Sequence, residues 1–169
     1  MGQAVKIVPY DPQWPVQFLA LCSFVAPALG SAVLTIEHVG STAVLGLSAK
    51  PIIDMDVVVA SAADVPLAIQ RLASVGYQHE GDLGIAGREA FIAPEHLPPH
   101  HLYVCIINSR ELRRHLAFRD YLRSHPDQAL LYANLKHELA ARCGDNRAAS
   151  TDGKSEFIQS RLALAGWHP

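Results

Sequence analysis

Val39-Gly40-Ser41-Thr42, followed shortly by Lys50-Pro51-Ile52-Ile53-Asp54-Met55-Asp56-Val57-Val58-Val59, is the stretch whose reading decides the fold. One apolar segment runs into a Gly-Ser turn, and a second carries two carboxylates at alternate positions. Residues two apart on a strand share a face. Asp54 and Asp56 therefore project side by side, while Met55, Val57 and Val59 point the other way into a core. Neighbouring carboxylates repel unless a cation lies between them, and hard oxygen ligands of this kind suit Mg²⁺ or Mn²⁺. The bland alternative is a pair of outward carboxylates at a strand end. The apolar flanks Ile52, Ile53, Val57, Val58 and Val59 argue for a buried central strand instead, where unneeded carboxylates are expensive. The turn brings backbone N–H groups and a hydroxyl to a place where phosphates can lie.

Working outward, residues 5–8 form a short β-like run closed by Pro9 and Asp11-Pro12. Residues 13–29 read as a helix that tolerates Pro15 in its first turn and stops at Gly30. A strand over 34–39 enters the turn, residues 42–50 make a short helix or loop, and 51–60 form a strong strand. Asp64 is placed to cap a helix that carries Val65, Leu67, Ala68, Leu72 and Val75 and closes at Gly76. Segments 77–80 and 88–93 read as paired strands around the glycine-containing loop 81–87, and 101–107 is a further strand. Helices follow over 111–124, 126–143 and 153–165, with a polar loop over 144–152. Pro126 divides the first two, because the residue before a proline avoids helical geometry. Strands and helices first, then helices alone, imply an α+β fold: a small mixed or antiparallel sheet with packed helices and a helical C-terminal part. With no repeat or linker visible, residues 1–169 read as a single domain.

The chain has 169 residues, half of them apolar, and a net charge of −2. That is enough material for a buried core and too little positive charge to grip a long nucleic acid, so no such partner is expected. Cys22, Cys105 and Cys143 are far apart and odd in number, which suits reduced thiols. No apolar run reads as long enough to span a bilayer, and residues 1–6 lack the core of a signal peptide. The expectation is a soluble cytoplasmic protein without a membrane partner.

Longer segments occur in a fixed order. They are Tyr10-Asp11-Pro12-Gln13-Trp14, Glu37-His38-Val39-Gly40-Ser41-Thr42-Ala43, Ala49-Lys50-Pro51-Ile52-Ile53-Asp54, Gly87-Arg88, His101-Leu102-Tyr103-Val104 and Leu116-Ala117-Phe118-Arg119-Asp120-Tyr121-Leu122-Arg123. The series resembles the GrpB family, which has a nucleotidyltransferase-like (polymerase-β-like) fold and also occurs fused to dephospho-CoA kinase. The resemblance implies that the Gly-Ser turn holds nucleotide phosphates and that Asp54 and Asp56 bind divalent metal. It also implies a third acidic ligand on a neighbouring strand, and the strand over 101–107 has none.

Alternation there puts His101, Tyr103 and Cys105 on one face, so His101 is the candidate for the vacant position, as a catalytic or ligating group or as a structural histidine. Glu89 is the other acidic candidate. Gly40, Ser41, Thr42, Lys50, Arg88 and Arg119 are the candidate phosphate-binding residues, although Ser41 and Thr42 also suit a helix cap. Arg119 and Arg123, four apart, share a helical face, with Glu111, Asp120 and Asp127 available as ion-pair partners. Lys136 and Lys154 are positioned to add charge to the same cleft. The nine histidines do not form a zinc signature, since adjacent His100 and His101 face opposite ways on a strand. The resulting expectation is a protein that binds a nucleotide or other phosphorylated small molecule with Mg²⁺ or Mn²⁺. It acts either as a nucleotidyl or phosphoryl transferase or as a non-catalytic module accessory to a CoA-pathway kinase.

Overall fold

The computed structural model describes residues 6–143 and 147–167. Helix α1 (Gln13–Leu29) precedes β1 (Thr35–Val39), β2 (Ile53–Val59), α2 (Val65–Ala73), β3 (Gln78–Gly81), β4 (Arg88–Ile92) and β5 (His100–Ile106). Helices α3 (Arg110–Ser124), α4 (Pro126–Cys143) and α5 (Arg147–Leu164) follow. The strands form one mixed sheet in the order β1-β2-β5-β4-β3, in which only the β2–β5 pair is parallel. This is an α+β, nucleotidyltransferase-like fold.

Strand β2 is buried on both faces, which is why its sequence is almost continuously apolar. Ile53, Met55, Val57 and Val59 are wholly buried against Trp14, Leu21, Val25 and Leu29 of α1 and Ala68 and Leu72 of α2. Each such side chain stabilises by about 1.5–3 kcal/mol. That margin lets the strand carry a carboxylate inside the protein on its other face. There Val58 and Cys105 pack on Leu112, so α3 covers the sheet opposite α1 and α2. Val44 and Leu47, in the connection from the turn to β2, pack on Leu122, Ala129, Tyr132 and Ala133 and tie α3 and α4 to that turn.

Several expectations are corrected. The last helix begins at Arg147, not near 153. Gly153 lies inside it because a Cβ there would stand 2.7 Å from Leu139 Cδ2, so the glycine serves helix packing and not a helix start. The short helix or loop expected over 42–50 is, in agreement with that reading, the end of a three-residue 3₁₀ turn, Ser41–Ala43, and then an irregular connection. Asp64 makes no side-chain cap to α2; its carboxylate accepts from Ser61 Oγ at 3.1 Å. The segment Gln13–Ala32 is long and apolar enough to cross a membrane by length and composition, contrary to the sequence reading, although one face of α1 packs on the sheet. Val8 pairs only with Ala49, while Val5, residues 144–146 of the expected polar loop and the N-terminal segment over 1–5 lie outside the described residues. Cys22 and Cys105 are free thiols.

Candidate functional site

Strand register assembles the site. Asp54 pairs with Val39 on β1 and His101 on β5, and Asp56 pairs with Glu37 and Tyr103. Glu37, Asp54, Asp56, His101 and Tyr103 therefore share the α3 face of the sheet. His101 donates from Nδ1 to Asp54 Oδ1 at 2.9 Å, and this bond raises its pKa above the ordinary histidine value. Asp56 is fully buried. His115, on α3, donates from Nδ1 to Asp56 Oδ2 at 2.7 Å and from Nε2 to Glu111 Oε1 at 2.8 Å. Burial alone would push the His115 pKa down, but the two carboxylates outweigh it and raise it to about 9. His115 is thus an imidazolium that donates through both ring nitrogens. Asp56 Oδ1 is buried and has no partner among the described residues.

The Gly-Ser turn lies against this pair. Gly40 has φ 74° and ψ −173°, and a Cβ there would collide with Asp54 Oδ2. Only glycine allows both that backbone conformation and that approach. Ser41 Oγ accepts from Lys136 Nζ at 2.9 Å, and Lys136 also donates to Ser48 O at 2.7 Å. Lys136 is buried, and its pKa falls to about 7 through desolvation and then the nearby charges of Lys154 and Lys50. Three lysines thus converge electrostatically on the turn, Lys50 exposed, Lys154 partly buried and Lys136 inside.

Other candidates are placed elsewhere. The hydroxyl of Thr42 is buried and bonded to His38 Nε2 at 2.9 Å. No side chain caps the turn at Ser41. Arg119 donates from Nη1 to Glu37 Oε2 at 2.8 Å and His38 O at 3.1 Å, and from Nε to Asp120 Oδ1 at 2.9 Å. In this arrangement its fork fastens α3 to β1. Arg123 likewise donates to Ala43 O at 2.9 Å and fastens the turn. Arg88 is in register with Cys105 on the site face, its guanidinium 4.5 Å from the Tyr103 ring centre and its buried Nε without a partner. Glu89 pairs with Val104 on the opposite face and bonds to His79 at 2.8 Å, so it is no third ligand.

A cavity of about 150 Å³ opens beside the turn, between Gly40, Ser41 and Val44 and the side chains of Phe118, Tyr132 and Ile158, with Arg114 and His115 also in its wall. Asp54 and Asp56 suit one hard divalent cation. They are adjacent carboxylates on one strand face, and one buried oxygen lacks a partner. Among the described residues no group of three His, Cys, Asp or Glu is arranged for a metal. The remaining positions would fall to phosphate oxygens and water, as Mg²⁺ prefers.

Sequence reasoning missed the Glu111–His115 pair and treated Glu111 only as a surface ion-pair partner. The available signal was spacing: Glu111, His115 and Arg119 lie one turn apart along one helical stripe, pointing where the sheet carries its carboxylates.

Residues 4–163 match a family model described as GrpB protein. A UPF0157 protein of Pseudomonas aeruginosa is 40% identical over 167 residues, which span 95% of this chain and 67% of that protein. A dephospho-CoA kinase of Mycolicibacterium paratuberculosis is 24% identical over 197 residues, spanning 98% of this chain and 48% of the kinase. The crystal structure of the conserved protein GrpB from Enterococcus faecalis superposes with a TM-score of 0.82 at 32% identity, covering 96% of this chain and 100% of that one. The Cid1 poly(U) polymerase with MgGTP bound shares the fold, with a TM-score of 0.55 at 14% identity over 80% of this chain and 45% of that one.

Proposed function

The chain belongs to the GrpB family, and from that premise we propose that it binds a nucleoside polyphosphate with one Mg²⁺ or Mn²⁺ between the Gly40-Ser41 turn and the Asp54/Asp56 pair. The observation that carries this reading is the Asp56 carboxylate, wholly buried with one oxygen unpartnered next to a second carboxylate. A buried unpaired anionic oxygen is costly, and a cation shared with Asp54 removes the cost. Ser41, Lys136, Lys154 and Lys50 supply a hydroxyl and positive charge beside it for the phosphates. Arg88, its guanidinium over the Tyr103 ring on the same face across β5, stands on the far side of the carboxylates from the turn.

As a transferase the protein would join an acceptor oxygen to the α-phosphorus, release pyrophosphate and lose the acceptor proton to water. The bound metal would stabilise charge on the phosphate oxygens. Ser41 and the lysines would hold the leaving phosphates, and His101 would keep Asp54 oriented through its 2.9 Å bond. A second reading has its own support. The β5 residues paired with the two aspartates are His101 and Tyr103, neither a carboxylate, which favours a one-metal binding module without turnover. Such a module would accompany an enzyme, as in the dephospho-CoA kinase whose matched region is about half its length.

Calorimetry of Mn²⁺ with tripolyphosphate and with nucleoside triphosphates tests the shared claim. Binding of the polyphosphate that requires Mn²⁺ and disappears in Asp54→Asn is the expected result. Equal binding with and without metal would overturn it. Release of pyrophosphate above the spontaneous rate would then separate the transferase from the module.

A further inference from the structure

We infer that the cavity beside the Gly-Ser turn receives a single-ring base, so that the nucleotide taken by this site is a pyrimidine nucleotide. The inference rests on the polyphosphate reading above and adds which nucleotide fits. Two wall residues connect the cavity to the carboxylates: Gly40 abuts Asp54, and His115 bonds to Asp56 at 2.7 Å. Ser41, also in the wall, is the residue that Lys136 grips. A nucleotide whose phosphates lie on Ser41 and whose α-phosphate meets the aspartates therefore has this cavity as the recess next to it.

The wall chemistry suits a flat ring. Val44, Leu122 and Ile158 are aliphatic, and Phe118 meets Tyr132 edge-on at 5.3 Å and 85°, while Phe157 stacks on the Tyr132 ring at 5.2 Å and Lys136 Nζ lies 4.9 Å over it. A flat ring in the cavity therefore packs on the aliphatic groups and on Phe118, in the offset or edge-on arrangements that aromatic quadrupoles favour.

Size then decides between bases. The cavity measures about 150 Å³. An apolar cavity of about that volume takes one benzene-sized ring. A pyrimidine has that ring; a purine adds a fused second one and requires packed walls to move. Polarity points the same way. Arg114 lies in the wall, and its contact with Glu111 is long, 3.4 Å, so its guanidinium is the group placed to donate to a ring carbonyl. Cytosine and uracil carry a carbonyl at C2 and adenine has none; guanine has one at C6, so ring size alone sets it apart.

The test is calorimetry with Mn²⁺ on the full chain, comparing UTP, CTP, ATP, GTP and tripolyphosphate. The pyrimidine nucleotides are expected to bind about tenfold or more tightly than tripolyphosphate, with the purine nucleotides no tighter than it. Nucleotides that all match tripolyphosphate, or purines that bind best, would overturn the base assignment while leaving the phosphate and metal site standing. Failure of tripolyphosphate itself to bind would remove both. Val44→Phe fills the cavity and should bring UTP down to the tripolyphosphate level without changing the latter. Because Val44 is buried and the variant risks misfolding, Ile158→Ala, at a partly exposed position, provides the second arm. It enlarges the cavity and should bring ATP toward UTP. Unchanged base preference in Ile158→Ala would place the ring elsewhere.

Discussion

His115 on α3 donates through Nδ1 to Asp56 Oδ2 at 2.7 Å, setting a helix-borne cation against the carboxylate of a central strand. Glu111, one turn earlier, accepts from the other ring nitrogen at 2.8 Å and completes a buried anion–cation–anion line. The arrangement compensates one oxygen of Asp56, Oδ2, and leaves the other, Oδ1, without a partner among the described residues. It also changes the electrostatics inferred from sequence: His101 and His115 each meet one aspartate, so mutual repulsion of the pair is already partly compensated.

This pairing makes His115 a source of pH-dependent stability. Its folded-state pKa is raised from 6.5 to about 9, so the folded protein holds the proton more tightly than the unfolded chain. Its stabilising contribution is complete below pH 6.5 and is lost as pH rises through about 9. Urea unfolding of wild type and His115→Gln should therefore show a gap of about 3–5 kcal/mol near neutrality, as for a buried pair losing one partner, that narrows on the alkaline side. A gap that stays constant with pH would mean that the ring is neutral in the fold.

Gly40→Ala and Ser41→Ala should behave differently. The Gly40 conformation, φ 74° with ψ −173°, is reserved for glycine, and an added methyl would displace the Asp54 carboxylate. The backbone strain alone is about 1–3 kcal/mol, and Mn²⁺ binding should be lost with it. Ser41→Ala removes one hydroxyl from Lys136 and should weaken tripolyphosphate several-fold while retaining the metal. Thermal unfolding and Mn²⁺ calorimetry on both variants check the contrast, which reverses if the turn has no part in the site.

Much of this site was legible because it rests on strand periodicity. The alternation of Asp54, Met55 and Asp56 gave the faces, and the parity of His101 and Tyr103 put them beside the aspartates as the register now has it. What escaped was information carried between distant elements. Whether Arg119 meets a ligand or Glu37 depends on how α3 crosses β1, a separation of 82 residues that no local pattern reports. The same holds for Lys136, whose partner Ser41 is 95 residues away, and for Thr42, whose burial follows from His38 stacking on Phe18. Gly153 misled for a related reason. A glycine that permits close helix approach looks locally like a helix boundary.

Asp54→Asn and Asp56→Asn should both abolish Mn²⁺-dependent binding but differ in stability. The Asp54 side chain is 31% exposed and pairs with an exposed histidine, so its loss should change the unfolding free energy by less than about 1 kcal/mol. Asp56 is 0% exposed and faces His115, so its neutralisation leaves a buried imidazolium short of one partner and should cost several times more, on the order of 3 kcal/mol. Chemical denaturation beside calorimetry separates the two effects. Equal destabilisation by both variants would contradict the placement of Asp56.

Lys136 should make polyphosphate affinity depend on pH in a defined direction. Desolvation and the neighbouring lysines lower its pKa from 10.5 to about 7, so in the ligand-free protein it loses its charge as pH rises through neutrality. The bound phosphates favour the charged form, so above about pH 7 binding must draw in a proton and affinity must fall as pH rises. Titrations at about pH 6.5 and 9 in buffers of different ionisation enthalpy should report an uptake approaching one proton at the higher pH. Stability of the ligand-free protein carries the opposite signature to that of His115. Between about 7 and 10.5 the unfolded chain binds the lysine proton and the folded one does not, so the burial penalty of Lys136 eases as pH rises. Lys136→Met should accordingly gain most stability below about pH 7 and bind tripolyphosphate weakly at every pH. Lys136→Arg, which keeps its charge throughout, should flatten the affinity profile. Wild-type affinity that is level across this range, with no proton uptake, would show that Lys136 does not meet the phosphates.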